Sequence, residues 1–411
     1  MELRPIFSTL RRHKTTAWLL ILEIALTCAI ICNAVFLIGQ RLQRLNLPSG
    51  VAEHELVQLQ LGQIGKNPGA KAQTATDLAA LRQIAGVRQA AMANQLPFNL
   101  GTDSNGSLML DPHQQRGTAQ VAEYMGGPGL LATLGTRLVA GRGFQPGEYV
   151  DFDTAVKALH DGDARGLPQQ IIVTKALAER LWPGQDALGR TVYFGDALPF
   201  RVVGVLDRLA RTKQLQLGAQ YSVVLPIRMT AADGASYLLR TAPQDRAAVL
   251  RAAAAKLKQL DPRRVVVVKQ TYDEARRTFF AGDRAMAGIL IGVIAALLVV
   301  TALGITGLAS FWVGQRRRTI GVRRALGATR GDILRYFQTE NFLLATLGIA
   351  LGMVLAFGLN LFLMTHYELP RLPGIYFPVG ALALWLIGQL AVLGPALRAA
   401  QVPPVVATRS V

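Results

Sequence analysis

Four apolar runs dictate what this chain can fold into. Residues 17–39, 285–313, 340–365 and 375–397 each exceed the roughly 18 apolar residues that a helix needs to cross a bilayer core. A polytopic membrane protein is therefore expected. Residues 40–284, between the first and second runs, have ordinary globular composition and are long enough for one or two soluble domains. The predicted class is an α-helical membrane domain of four transmembrane helices with a large α+β extracytoplasmic domain inserted between helices 1 and 2.

Charge placement predicts orientation. Arg4, Arg11, Arg12 and Lys14 precede the first run with Glu2 as the only acid, and Arg398 and Arg409 follow the fourth. Seven arginines (Arg316, Arg317, Arg318, Arg323, Arg324, Arg330 and Arg335) crowd the connector 314–339, against the acid Asp332. Excess Lys and Arg in short loops stays on the cytoplasmic side. Both termini (1–16 and 398–411) and this connector are then cytoplasmic, in the inner membrane. The insert and the short connector 366–374, where Glu368 offsets Arg371, are outside. The first run is too long for a signal-peptide core and lacks a small-residue cleavage site, so it reads as an uncleaved anchor.

The net charge of +18 invites a nucleic-acid reading. Many of the basic residues flank spans, where the bilayer accounts for them. The others are scattered among acids without an aromatic-interleaved stripe, so no nucleic-acid partner is expected. The two cysteines, Cys28 and Cys32, lie one helical turn apart inside the first span, too far apart on a helix to favour a disulfide. The histidines show no metal-ligand spacing, and no nucleophile elbow or zinc-protease motif occurs. Catalytic, cofactor and metal residues are assigned to none. Gly184–Thr191 approximates a phosphate-binding loop, but Arg190 replaces the required lysine and the segment follows a helix instead of a strand. It reads as a turn.

Strands are expected at Glu55–Leu61, Ser107–Leu110, Ile171–Thr174, Thr191–Phe194, Arg201–Leu206, Tyr221–Pro226 and Val265–Lys269. The run Val265–Val268 reads as buried because it is β-branched. Helices are expected at Thr74–Ala85, Pro128–Leu134, Ala176–Leu181, Pro243–Leu260 and Asp273–Asp283. Within the membrane, Glu23 is a candidate for either a structural ion pair, to Lys14 or a neighbouring helix, or a role in coupling or proton movement. Gly288/Gly292 and Gly348/Gly352 are small-residue pairs that permit close helix packing, including across a dimer.

The connector places Ile320, Leu326, Ile333, Leu334 and Phe337 among its arginines, and Gly327-Ala328-Thr329 breaks the run. A short amphipathic helix, a turn and a second helix entering span three are expected. These residues, QRRRTIGVRRALGATRGDILRYFQTE, resemble the entry to the third helix in MacB/FtsX-type ABC transporter permeases. Segments 124–144 and 171–189, and the tail GPALRAAQVPP, also resemble MacB-type permeases, and in this order they cover nearly the whole chain. The resemblance implies the permease half of a MacB-like transporter that exports or expels a substrate. ATP and Mg would then sit on a separate ABC ATPase, with no cofactor in this chain. It implies an ATPase-coupling set of Ile320, Gly321, Arg323, Arg324, Ala325, Leu326, Gly327, Ala328, Asp332 and Ile333. Thr319 stands where the family carries glutamate, which leaves that contact in question. Four spans are few for a pathway, so a two-fold dimer is expected, either a homodimer or a heterodimer with a similar permease. The resemblance adds a membrane-fusion protein and outer-membrane channel as further partners. A lipoprotein-releasing permease, an FtsX-like regulator of a periplasmic cell-wall hydrolase, and a membrane-anchored enzyme or sensor remain as alternatives.

Overall fold

The computed structural model describes residues 14–63, 67–195, 198–213, 215, 218–367 and 372–401. The charged flanks at residues 2–12, Glu368, Arg371, Arg409 and the end of the tail motif lie outside the described residues. The chain divides into two compact units: Arg44–Gly282, and the flanking residues 1–43 together with 283–411.

Along the chain, α1 (Lys14–Leu45) leads into β1 (Leu56–Gln63), α2 (Ala70–Arg82), β2 (Val87–Ala93), β3 (Asn105–Met109) and β4 (Ala119–Met125). Then come α3 (Leu130–Leu134), β5 (Leu138–Gly141), β6 (Val150–Asp151), α4 (Phe152–Asp161), β7 (Gln170–Thr174) and α5 (Lys175–Leu181). They are followed by β8 (Thr191–Phe194), β9 (Leu198–Leu206), β10 (Ser222–Leu225), β11 (Ile227–Arg228) and β12 (Ser236–Thr241). The insert closes with α6 (Arg246–Leu260), β13 (Arg264–Thr271) and α7 (Tyr272–Phe279). The chain continues as α8 (Ala281–Gln315), α9 (Arg317–Ala325), α10 (Arg330–Tyr367) and α11 (Tyr376–Ala400).

In the Arg44–Gly282 unit the larger sheet runs β5-β9-β7-β10-β4-β3-β8. Strand β8 also pairs with β9, so β9-β7-β10-β4-β3-β8 closes into a ring of paired strands. Closure leaves these strands few bare edges. Val121, Ile171, Val173, Val192, Val202 and Val223 are almost wholly buried in its core. The second sheet, β13-β1-β12-β2, is antiparallel throughout. Val249, Leu250, Ala253 and Leu257 give α6 one apolar stripe, and all four are buried in the same core as Val57 and Leu59 of β1.

All seven strands expected from sequence form, within a few residues of their predicted ends. Two expectations are corrected. Val265, Val266 and Val267 are exposed by 52%, 37% and 61%, because β13 is the outer strand of its sheet. A β-branched run signals a strand but does not say that it is central. The helix expected to run from Asp273 to Asp283 ends at Phe279, and α8 starts at Ala281.

Four helices are long and apolar enough to cross a membrane: Lys14–Leu45, Ala281–Gln315, Arg330–His366 and Tyr376–Ala400. Ile24, Cys28, Cys32, Ile305, Leu344, Ile349 and Leu384 interlock in their shared core. Hydrogen bonds tie these helices at depth. Asn33 Nδ2 donates to the carbonyl of Ala356 at 3.2 Å, and Asn341 Nδ2 to that of Gly388 at 2.9 Å. Thr27 and Thr301 pair their hydroxyls at 3.0 Å. Where water is scarce, such side chains need partners in neighbouring helices.

Candidate functional site: the basic elbow

The elbow between α8 and α10 is built from three local signals. Gly327, at φ +97°, takes the left-handed conformation that ends α9. The Gly327 N–H donates to the Arg324 carbonyl at 3.2 Å and that of Ala328 to the Arg323 carbonyl at 3.1 Å. This is the crossed pair of bonds that satisfies the last carbonyls of a helix. Thr329 then caps α10: Asp332 N–H donates to Thr329 Oγ1 at 3.2 Å, and Asp332 Oδ2 accepts from Thr329 N–H at 2.9 Å. Leu-Gly-Ala-Thr therefore makes a tight corner between two helices.

The inner side of this corner is apolar. Ile320, Ile333 and Phe337 are buried with Val313, Ala396, Ala399 and Ala400. Gly321 is buried beside Ile320 on the same helix. Two of the seven arginines turn inward. Arg316 forms an ion pair with Glu340, and Arg324 Nη1 donates to the Ala400 carbonyl at 2.9 Å. Arg323 lies over the Tyr336 ring at 5.0 Å, a cation–π arrangement.

The outer side is the reverse. Arg317, Arg318, Arg330 and Arg335 are exposed, as are Ala325, Gly327 and Asp332. Leu326 projects from the corner at 83% exposure, with Val322 beside it at 45%. Ala328 is half-buried. Of the coupling set, then, Ile320, Gly321 and Ile333 belong to the inner wall, Arg324 braces it, and Leu326 with Arg323 belongs to the outer face. Arg316 and Glu340 were absent from that set. Glu340 closes the segment that resembles the family and Arg316 is one of the seven connector arginines, but the sequence did not pair them.

The other singled-out residues lie elsewhere. Glu23 faces Gly304, where an added Cβ would stand 2.6 Å from its carboxylate oxygens. The expected ion pair to Lys14 or another cation is absent among the described residues. Gly348 and Gly352 face α1: a Cβ on Gly352 would stand 2.5 Å from Cys28 Cβ, and one on Gly348 2.8 Å from Ile24 Cβ. Their close packing is spent inside the chain, which corrects the expectation that they face a dimer partner. Around Gly288 and Gly292 an added Cβ meets nothing within 4 Å among the described residues. The Gly184–Thr191 segment is a turn, with Gly184 and Gly189 at φ +67° and +75° and Arg190 over the Trp182 ring at 5.5 Å.

Comparison with known proteins covers both units. Residues 24–258 match the family described as MacB-like periplasmic core domain, and residues 291–404 match the FtsX-like permease C-terminal family. Over 423 residues the chain is 24% identical to the macrolide export ATP-binding/permease protein MacB 1/2 of Paracoccus denitrificans, covering 98% of this chain and 58% of that protein. It is 29% identical to MacB of Chromobacterium violaceum, over 58% of this chain and 37% of that one. It is 25% identical to the uncharacterized ABC transporter permease YvrN of Bacillus subtilis, over 62% and 66% of the two chains. The chain thus spans about a third to two thirds of these curated relatives. The periplasmic region of MacB from Actinobacillus actinomycetemcomitans aligns at a TM-score of 0.33 and 14% identity, over 56% of this chain and 94% of that one. With four apolar helices and both family matches, the chain is a multi-pass membrane protein that belongs to the MacB/FtsX-type ABC transporter permease family.

Proposed function

We propose that this chain is the transmembrane subunit of an exporter, and that the elbow is where a separate ATP-hydrolysing subunit pushes on it. The carrying observation is the exposed leucine in a basic frame: Leu326 is 83% exposed at a corner ringed by arginines. An apolar anchor rimmed by cations suits a groove on an acidic partner surface. The rigid inner wall would pass its displacement to α8 and α10.

In this reading the elbow and both termini are cytoplasmic, the Arg44–Gly282 unit is outside the inner membrane, and the insert is α+β. ATP and Mg are held by the partner. Four spans enclose little space, so two permeases would pair, with the open Gly288/Gly292 face of α8 as the contact. The relatives named macrolide export proteins support an export role, and their names place ATP binding and permease in one polypeptide.

The test is co-purification with the ATPase and its hydrolysis rate, measured for Leu326→Asp and Gly327→Pro. Aspartate puts an unpaired charge into the apolar contact, which costs several kcal/mol when buried. Proline removes the Gly327 N–H that caps α9 and cannot adopt a positive φ. Both variants should insert in the membrane and lose partner binding. Wild-type binding and hydrolysis in both would leave the elbow as a lipid-surface anchor and overturn the assignment.

A further inference from the structure

A cleft of about 330 Å³ opens in the Arg44–Gly282 unit between α2 and the short parallel pair β6/β11. Its volume lies at the small end of the range for organic ligand sites. The floor is apolar: Leu78 from α2, Met92 from β2, Phe152 at the start of α4, and Met229 after β11. Met92 and Met229 are themselves almost wholly buried, and methionine adapts its shape to irregular guests.

One wall is charged in an unbalanced way. Asp151 stands between two cations, with Lys71 Nζ at 2.5 Å from Oδ2 and Arg228 Nη1 at 3.5 Å from Oδ1. One carboxylate thus serves two positive charges, and its buried Oδ1 makes no hydrogen bond. Arg228 is fixed in place: Nη1 donates to the Tyr149 carbonyl at 2.9 Å, and the guanidinium lies over the Tyr149 ring at 5.5 Å. Two further acids, Asp153 and Asp233, and a third cation, Arg82, also line the cleft. Asp233 Oδ2 accepts from both the N–H and the hydroxyl of Thr230, and Asp153 lies in the first turn of α4, complementing its dipole.

We propose that this cleft binds a small amphiphile with an apolar body and one anionic head, such as a medium-chain carboxylate. The body lies on the two methionines and Phe152, and the head meets Arg228 and Lys71. Charge-assisted hydrogen bonds to a preoriented guanidinium are the strong kind. The site holds whether or not the elbow docks an ATPase, since it lies wholly within the insert.

The probe is octanoate, added to the full chain in lipid nanodiscs and read by ligand-observed NMR after subtraction of empty nanodiscs. Saturable binding is expected. Ala75, exposed on the cleft wall, gives Ala75→Trp, which fills the space without entering the core and should abolish the signal. Arg228→Gln should weaken octanoate by about tenfold, and octylamine should not compete. Undiminished octanoate binding by Ala75→Trp overturns the site. Equal binding of octylamine and octanoate overturns the anionic assignment, whatever the elbow variants show.

Discussion

Arg316 and Glu340 hold each other across the elbow. Arg316 Nη1 lies 2.9 Å and 3.1 Å from the two carboxylate oxygens of Glu340, and Nη2 lies 3.2 Å from one of them. Glu340 is 2% exposed, and Arg316 also lies over the Trp312 ring at 5.7 Å. The pair joins the residue just after α8 to the first third of α10, so the helix between them, α9, hangs from a braced frame. On the proposed coupling role, a push on Leu326 would move α8 and α10 together instead of bending a loop.

Removing one partner should therefore be costly. Glu340→Ala leaves the Arg316 charge largely enclosed, and breaking such a pair costs about 3–5 kcal/mol. A double replacement, Arg316→Met with Glu340→Leu, should recover much of that stability while losing the forked geometry. Thermal unfolding of the full chain in nanodiscs measures both. A Glu340→Ala variant as stable as the parent would mean that the brace carries no load.

Glycine substitutions should separate packed from open helix faces. Gly352→Leu drives its side chain into Ala25 O and Cys28 Cβ, where even a Cβ would stand at 2.6 Å and 2.5 Å. Backbone atoms cannot give way cheaply, so overpacking of at least about 1–3 kcal/mol is expected. A Cβ at Gly292 meets nothing within 4 Å among the described residues, so Gly292→Leu should leave the subunit's own stability unchanged. Cross-linking yield of paired subunits is the second readout, and Gly292→Leu should lower it. Equal melting temperatures for Gly352→Leu and the parent would refute the intramolecular packing.

Much of this architecture is written in local patterns. Apolar length marks the four spans, and the Gly327-Ala328-Thr329 break marks the corner, because a left-handed glycine followed by a capping threonine has few other uses. What local pattern cannot carry is partnership. Arg316 and Glu340 are 24 residues apart, and with seven arginines in the connector the local pattern does not say which one meets the acid. Gly288/Gly292 and Gly348/Gly352 look alike as sequence, yet among the described residues a Cβ meets a neighbouring helix only at the second pair. Strands β2, β4, β5, β6, β11 and β12 and helix α4 went unread. β12 is buried along most of its length, so it lacks the alternation that reveals a half-exposed strand. The cleft escaped notice because α2 and β6/β11 meet only in the folded insert.

Asp77 should prove the stability hub of the insert. It is buried, accepts from the Tyr237 hydroxyl at 2.5 Å, and pairs with Arg264 Nη1 at 2.8 Å. Burial and, second, the Asp77 charge push the Tyr237 phenol above its ordinary range, so this hydroxyl stays a donor in alkaline solution. Asp77→Ala strands the Arg264 guanidinium, itself 5% exposed, and should cost about 3–5 kcal/mol. Tyr237→Phe removes one donor and should cost about 1–3 kcal/mol. Limited proteolysis of the insert at increasing urea gives the order: Asp77→Ala cleaved first, then Tyr237→Phe, then the parent. Reversal of the first two would displace Asp77 from the centre of this network.

Glu123 should make the insert sensitive to pH. Its carboxyl is packed against β3, where a Cβ on Gly106 would stand 1.9 Å from Oε1, and Oε2 accepts from Ser104 Oγ at 3.2 Å. Burial raises its pKa above the ordinary carboxylate value, and the Ser104 bond offsets only part of that. A raised pKa means the folded state prefers the protonated form. The stabilisation is complete below the unfolded value of about 4.3 and is lost as pH climbs through the raised folded value. Glu123→Gln is neutral throughout and keeps an acceptor for Ser104. Its melting temperature should match the parent near about pH 4 and exceed it near about pH 7.5. Carboxylates held low by arginines, such as Glu55 beside Arg240 and Asp207 beside Arg137, titrate in both proteins and cancel in the comparison. A difference between variant and parent that is constant across this range would show that Glu123 is ionised at no cost.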